Sequence, residues 1–139
     1  MFEIRPFQES DEDAVLQLWK DCRLLRSSND SRRDIQLKLA VQPDLFLIGT
    51  LDGRIVASIM AGYEGHRGWL NYLAVDATCR KQGFGRGIVA VAEKRLRLLG
   101  CPKINLQVRS GNVQALDFYR KIGFQVDEVI SLGKRLTYE

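Results

Sequence analysis

At 139 residues the chain has room for one compact domain, which hides roughly two-thirds of the surface its unfolded form exposes, and for no second. Its 45% apolar and 27% charged residues, with only 3 prolines, exclude intrinsic disorder and a collagen-like array. The formal net charge of +4 hides an asymmetry: 7 Lys and Arg against 9 Asp and Glu in residues 1 to 50, then 14 against 8 in residues 51 to 139.

Residues 2 to 7 read as a first strand. Ser10 with Asp13 three residues on has the form of a capping box, and Asp11 and Glu12 suit the positive end of a helix. Val15, Leu18, Trp19 and Cys22 then repeat at helical spacing, which predicts a helix over 11–23. LLRSSNDS breaks the pattern, and a shorter helix over 32–41, with Ile35 and Leu39 on one side, stops before Pro43. Two runs of strand formers, 45–50 and 54–63, flank an Asp52-Gly53 step that supplies the left-handed residue of a tight hairpin. EGHRG is a loop and 69–75 another strand.

The stretch Arg80-Lys81-Gln82-Gly83-Phe84-Gly85-Arg86-Gly87 leads into a helix with Ile88, Val91, Ala92, Leu96 and Leu99 along one side, closed by Gly100 and Pro102. A strand over 103–108 follows. Asn112 can cap a helix in which Ala115, Phe118, Tyr119 and Ile122 lie three or four apart before Gly123 ends it. Phe124 to Ile130 and Leu132 to Tyr138 read as two closing strands. The order βααβββαβαββ, without repeat or linker, is that of a single mixed α/β domain over 1–139.

No apolar run approaches the roughly 20 residues needed to cross a bilayer, and the opening MFEIRPFQESDED is acidic where a signal peptide needs an apolar core. The expectation is a cytoplasmic protein that does not engage membranes. Cys22, Cys79 and Cys101 are odd in number, far apart and without C-x-x-C spacing, so reduced thiols and no metal site are expected.

A strand running into glycines at 83, 85 and 87 and then into a helix aims several unpaired backbone N–H groups at one point, which attracts phosphate. Arg80, Lys81 and Arg86 oppose the helix dipole there, and an anion among them would explain their presence. Charge-assisted hydrogen bonds contribute on the order of 1.5 to 3 kcal/mol each, so three or four would hold a pyrophosphate at the micromolar level. The competing reading is a sharp turn beside solvated cations. Neither a Walker loop nor a dinucleotide fingerprint fits: no G-K-[ST] follows, and no acidic residue lies about 20 positions on.

Arg80-Lys81-Gln82-Gly83-Phe84-Gly85 matches the [QR]-x-x-G-x-[GA] acyl-CoA signature, preceded by Leu73-Ala74-Val75-Asp76 and followed by Asn112-x-x-Ala115-x-x-Phe118-Tyr119-x-x-x-Gly123-Phe124. Over nearly its whole length the chain resembles the GCN5-related N-acetyltransferases, with the EGHRG loop and SLGKRL similar to the small bacterial YpeA-like branch. The resemblance implies that family's fold, a mixed and mostly antiparallel sheet flanked by helices, and acetyl-CoA as co-substrate. In the family a bulge splays the strand before the loop, and the pantetheine arm lies in the gap like an added strand.

By the same resemblance, Leu73, Ala74 and Val75 would line the arm, with Leu73 and Val75 bonding it through their backbones. The amides of Lys81, Gln82, Gly83, Phe84, Gly85 and Arg86 would hold the pyrophosphate, and Asn112 would reach the pantetheine or phosphate arm. Tyr119 would stand near the thioester sulfur, where a phenol of pKa near 10 can protonate the departing thiolate; aromatic packing beside Phe118 is its alternative role. An amine acceptor must lose a proton, and Glu64 is the first candidate base, with His66 beside it. Gln107 stands where related ribosomal-protein N-terminal acetyltransferases carry a Glu associated with that role, so a peptide N-terminus is a poor substrate candidate.

The acceptor pocket is expected between the first two helices and the last hairpin, with Arg26 and Asn29 as substrate contacts, Arg26 pairing with a carboxylate. Cys79 abuts the turn but direct acetyl transfer needs no covalent thiol. The expected reaction moves acetyl from acetyl-CoA to a primary amine of a small molecule or protein. The alternative in a different class is a non-catalytic acyl-CoA sensor. The basic stretch 80–109 lacks a reading helix or aromatic platform for nucleic acid, which is not an expected partner; a homodimer is compatible with the sequence.

Overall fold

The computed structural model describes residues 1–26 and 30–137. They form two compact units, Met1–Leu106 and Gln107–Glu139.

The first unit is built on a sheet of β1 (Phe2–Pro6), β2 (Phe46–Leu51), β3 (Arg54–Tyr63), β4 (Gly68–Val75) and β5 (Ile104–Asn105), in that spatial order. The first four pair antiparallel and β5 lies parallel to β4. Helices α1 (Glu12–Asp21) and α2 (Ser31–Leu39) connect β1 to β2, and α3 (Phe84–Leu98) connects β4 to β5. Val15, Leu18 and Trp19 of α1 and Ile35 of α2 are buried with Phe46, Ile48, Met60 and Ala74 of the sheet. Ile88, Val89, Ala92 and Leu96 form the buried stripe of α3, at the spacing that puts them on one face. Covered by these helices, β2 and β3 read as nearly unbroken apolar runs.

Local signals account for most of these boundaries. Asp52 and Gly53 adopt φ of +51° and +83°, the primed turn that suits a two-residue hairpin. The expected capping box at Ser10 and Asp13 does not form. Asp11 serves instead: it accepts the Gln8 N–H at 2.8 Å and both Arg5 guanidinium nitrogens at 2.8 and 3.0 Å. A carboxylate with a cation beneath it outbids one facing water.

Beyond Phe46, where β2 begins, β3 has lost its partner strand, and side chains take over. The Gln42 amide accepts the Tyr63 N–H at 2.9 Å and donates to the Tyr63 carbonyl at 3.1 Å, and Lys38 Nζ donates to the Ala61 carbonyl. Gly49 leaves space for the Phe2 ring, because a Cβ there would lie 2.6 Å from it. Phe2 in turn stacks on Phe84 at 4.2 Å, which ties the first turn of α3 to β1.

In the second unit α4 (Val113–Lys121) is capped by Asn112, whose Oδ1 accepts the Ala115 N–H at 3.1 Å. Gly123, at φ +104°, ends it. The closing strands expected at Phe124–Ile130 and Leu132–Tyr138 are not formed among the described residues, with Tyr138 outside them; the strand expected over 103–108 is reduced to Ile104–Asn105. Strand-forming residues make a strand only where a ladder of backbone partners exists, and ISLGKR offers no Asn-Gly or Asp-Gly step to fold one run onto the other. Ser131, midway, is engaged by the Gln107 side chain. The mixed, mostly antiparallel sheet with flanking helices stands as expected.

Candidate functional site

The register of β3 and β4 slips in the middle. Met60 pairs with Asn71, but Ser58 pairs with Ala74, so Ile59 faces both Tyr72 and Leu73. This is a β-bulge, and Tyr72 carries it at φ +53°, a left-handed conformation costly for a bulky residue. Past the bulge the Asp76 N–H reaches the Val56 carbonyl at 2.8 Å. By the alternation of a strand, the amides of Leu73 and Val75 then point to the opposite, outer edge.

β5 pairs only with Gly68 and Trp69. Among the described residues no strand covers β4 on that side from Leu70 to Val75. The edge therefore presents Leu73 N–H and C=O and Val75 N–H. The Val75 carbonyl is taken by Arg80 Nε at 3.1 Å and the Cys22 thiol at 3.4 Å. Ala74 is turned inward, its methyl buried in the core.

The edge runs directly into the glycine turn. Asp76 caps the short 3-10 turn Ala77–Cys79 between them by accepting from the Thr78 N–H at 2.9 Å and hydroxyl at 2.8 Å, and these bonds with that of Arg54 hold its carboxyl below the usual range. Lys81 and Gly83 both take left-handed φ, +65° and +82°, which curls the backbone so that successive N–H groups converge. A Cβ on Gly83 would meet no protein atom, so glycine is needed for conformation and its open side faces outward. Gly85 and Gly87 are not loop glycines but lie in the first turn of α3. The first helical bond is Gly87 N–H to the Gly83 carbonyl at 2.9 Å, so the amides of Phe84, Gly85 and Arg86 have no partner within the helix. Lys81, Gln82 and Arg86 are exposed around them. Arg80 is drawn back onto β4 by the Val75 carbonyl instead of facing this point.

The second unit holds Asn112 and Tyr119. The cap uses the oxygen of Asn112, so its amide nitrogen is the end that can donate to a ligand. Tyr119 packs edge-on against Phe118 and Phe124 at 5.2 and 5.4 Å, and burial pushes its phenol up to about 12.

The remaining expected residues have local partners. Glu64 accepts the backbone N–H groups of Arg67 and, at 2.9 Å, His66, which lowers its carboxyl pKa although the side chain is exposed. Arg26 donates to the carbonyls of Arg23 and Leu25, closing its own loop. Asn29 lies outside the described residues. Gln107 Nε2 donates to Ser131, and the three cysteines are free thiols.

The model of the acetyltransferase (GNAT) family matches residues 8–124. The chain belongs to the GNAT family. Two relatives show how far the similarity extends. An acetyltransferase of Yersinia enterocolitica is 45% identical over 137 residues, spanning 99% of this chain and 97% of its own. An acetyltransferase of Pectobacterium atrosepticum is 45% identical over 134 residues, spanning 96% and 95%. Among solved structures, Ard1 from Thermoplasma volcanium superposes with a TM-score of 0.77 at 21% identity, covering 91% of this chain and 84% of its own. AAC(6')-Iy in complex with the bisubstrate analog CoA-S-monomethyl-acetylneamine gives 0.76 at 18%, covering 97% and 99%. The protein is thus a GNAT acetyltransferase, and the family implies acetyl-CoA as its donor. The bulged strand and open edge are what the family resemblance implies, and the positive-φ turn is what the glycines after Cys79 imply. Tyr72 carries no motif; its one trace in the sequence is the unbroken apolar run Tyr72-Leu73-Ala74-Val75, where a half-exposed strand would alternate.

Proposed function

We propose that this chain moves the acetyl group of acetyl-CoA to a primary amine of a small molecule or protein by direct attack. The observation that carries the reading is the continuity of the outer β4 edge with the turn at Lys81–Gly83 and the amides of Phe84, Gly85 and Arg86 that have no partner within the helix. An extended amide-bearing arm ending in a diphosphate needs a strand edge followed by an anion cradle. The bisubstrate complex of AAC(6')-Iy, a protein of this fold, is consistent with CoA as the carrier.

In this reading Leu73 and Val75 bond the pantetheine arm, the Lys81–Arg86 backbone holds the diphosphate, and the Asn112 amide nitrogen donates to the arm, a role its motif supports. The neutral amine attacks the thioester carbon, the carbon–sulfur bond breaks, the thiolate leaves with a proton from the Tyr119 phenol, and the proton shed by the newly acylated nitrogen passes through water to restore that phenol. That phenol, with a pKa of about 12, stays protonated at neutral pH. The ammonium proton passes through water to Glu64, a weak acceptor because its lowered pKa reduces its basicity. The whole chain acts as one N-acetyltransferase domain, with Arg26 and Asn29 on the acceptor side.

The test is calorimetric titration of the purified protein with CoA, followed by an amine library scored by release of free thiol. Saturable CoA binding with turnover on at least one amine supports the proposal. Binding with no turnover on any amine, peptide or polyamine points to a sensor, and no saturation at millimolar CoA overturns both.

A further inference from the structure

The bulge in β4 is held by more than the sheet. The ring of Tyr72 stacks on Trp19 of α1 with centroids 3.9 Å apart. Its hydroxyl donates to Asp34 Oδ2 of α2 at 2.7 Å, and Ser31 Oγ lies 3.2 Å from the Tyr72 hydroxyl oxygen. A phenol has one proton and it is committed to Asp34, so Ser31 is the donor of the second bond. The Tyr72 carbonyl accepts from Ser58 Oγ of β3 at 2.9 Å, and Ser58 in turn accepts from Trp19 Nε1 at 2.8 Å. Trp19 and Ser58 are fully buried. The circuit closes on itself, from α1 to β3 to the Tyr72 backbone and back through the Tyr72 ring to α1, with α2 holding the phenol.

A left-handed kink needs no side chain, and Gly or Asn would take it at less cost. A tyrosine there is strained, and such strain persists only where surroundings over-determine it. Here they do so from three elements at once. The kinked residue immediately precedes Leu73, whose amide leads the outer edge. Burial, with Asp34 adding to it, pushes the phenol up to about 12, so the hydroxyl remains a donor throughout the working range of pH.

We propose that Tyr72 is a positioning residue for acetyl transfer: α1 and α2 grip its ring and hydroxyl and thereby fix the direction in which Leu73 and the outer edge of β4 present their amides to the thioester arm. This rests on the proposed acetyl transfer. Asp34 and Ser31 act through Tyr72, and the diphosphate cradle, which begins at Lys81, is independent of them.

The test combines steady-state kinetics, CoA titration and amide hydrogen exchange on the full chain, well below the melting temperature. Tyr72→Phe and Asp34→Ala are expected to lower kcat on the order of tenfold, with the CoA dissociation constant changed less than about twofold. Asp34→Asn, whose carbonyl still accepts the phenol proton, restores most of the loss. Tyr72→Gly permits the backbone kink but removes the grip, and is expected to behave as badly as Asp34→Ala. In both grip-removing variants, exchange at residues 71–75 accelerates relative to the rest of the sheet.

A Tyr72→Gly enzyme with wild-type kcat overturns the proposal, because the kink alone then suffices. So does a loss in Asp34→Ala that vanishes when variants are compared at equal distance from their melting temperatures. If the wild-type protein acetylates no amine, the transfer reading fails instead, and exchange at 71–75 still decides whether the grip exists.

Discussion

Replacing Gly85 by glutamate should make the protein more stable and worse at binding its donor. Gly85 lies in the first turn of α3 without a positive φ, so a side chain is compatible with its backbone. Exchanging a helical glycine for a good helix former is worth about 0.5 to 1 kcal/mol, and a carboxylate near the positive end of the helix adds about 0.3 to 1 kcal/mol. The ligand-free protein should therefore melt roughly 3 to 6 °C higher. Against a diphosphate on the same amides, one new negative charge about 5 Å away costs about 3 kcal/mol at an effective dielectric of ~20, or on the order of 100-fold in affinity. Calorimetry with CoA and with acetyl-pantetheine, which lacks the diphosphate, reads this out beside a thermal melt. CoA should weaken about 100-fold while acetyl-pantetheine changes little. Unaltered CoA affinity in G85E would refute the anion cradle, and a fall in both ligands would show that the substitution disturbs the strand edge instead.

Tyr119→Phe should reduce turnover on the order of 10- to 100-fold while leaving CoA binding within about twofold; full turnover would assign thiolate protonation to water. With the phenol near 12, turnover should rise with pH as the acceptor loses its proton and should not fall again below about pH 11; a descending limb centred near 10 would contradict the burial of Tyr119. Ser58→Ala strands the buried Trp19 Nε1–H and should cost about 1 to 3 kcal/mol in urea unfolding, and no measurable change would mean a water replaces the hydroxyl. For Asp11, burial raises the carboxyl pKa, but Arg5 and the Gln8 N–H outweigh it and the net direction is down. A depressed folded pKa means the stabilisation is fully present above the unfolded value near 4 and is lost as pH falls through the folded one. Asp11→Asn should therefore be less stable at pH 7 by about 2 kcal/mol and show a flatter stability profile between pH 5 and 2, measured by denaturant titration at each pH.

What could be read from the residues was whatever depends on near neighbours in the chain. Asp52-Gly53 dictates its own turn, the stripe from Ile88 to Leu96 dictates a helix, and the glycines after Cys79 mark a backbone meant to approach something closely. Asn112 was legible as a cap because a cap satisfies an amide three residues away. The parts that were not legible depend on partners distant in sequence. Asp11 outranks Ser10 at the helix start only because Arg5 sits beneath it. A bulge in β4 was expected from the family resemblance, but that Tyr72 carries it, in contact with Trp19, Asp34 and Ser58, is not something a strand pattern can place. Residues 124–137 have the composition of strands, yet pairing is a property of two segments and not of one. Glu64 was read as a candidate base from its chemistry; that its carboxylate also accepts the N–H groups of His66 and Arg67 depends on how its loop folds, which the sequence does not state.

The sheet treats its two interrupted borders in opposite ways. Where β2 falls short, the Gln42 carboxamide imitates a peptide group and Lys38 covers the next carbonyl, so the Tyr63 amide and carbonyl and the Ala61 carbonyl are not left to template another strand. Where β5 falls short, no comparable substitute occupies the Leu73 backbone among the described residues. Exposed strand borders invite adhesion to other chains, and in the proposed reaction the border left open at Leu73 is the one that the thioester arm would fill.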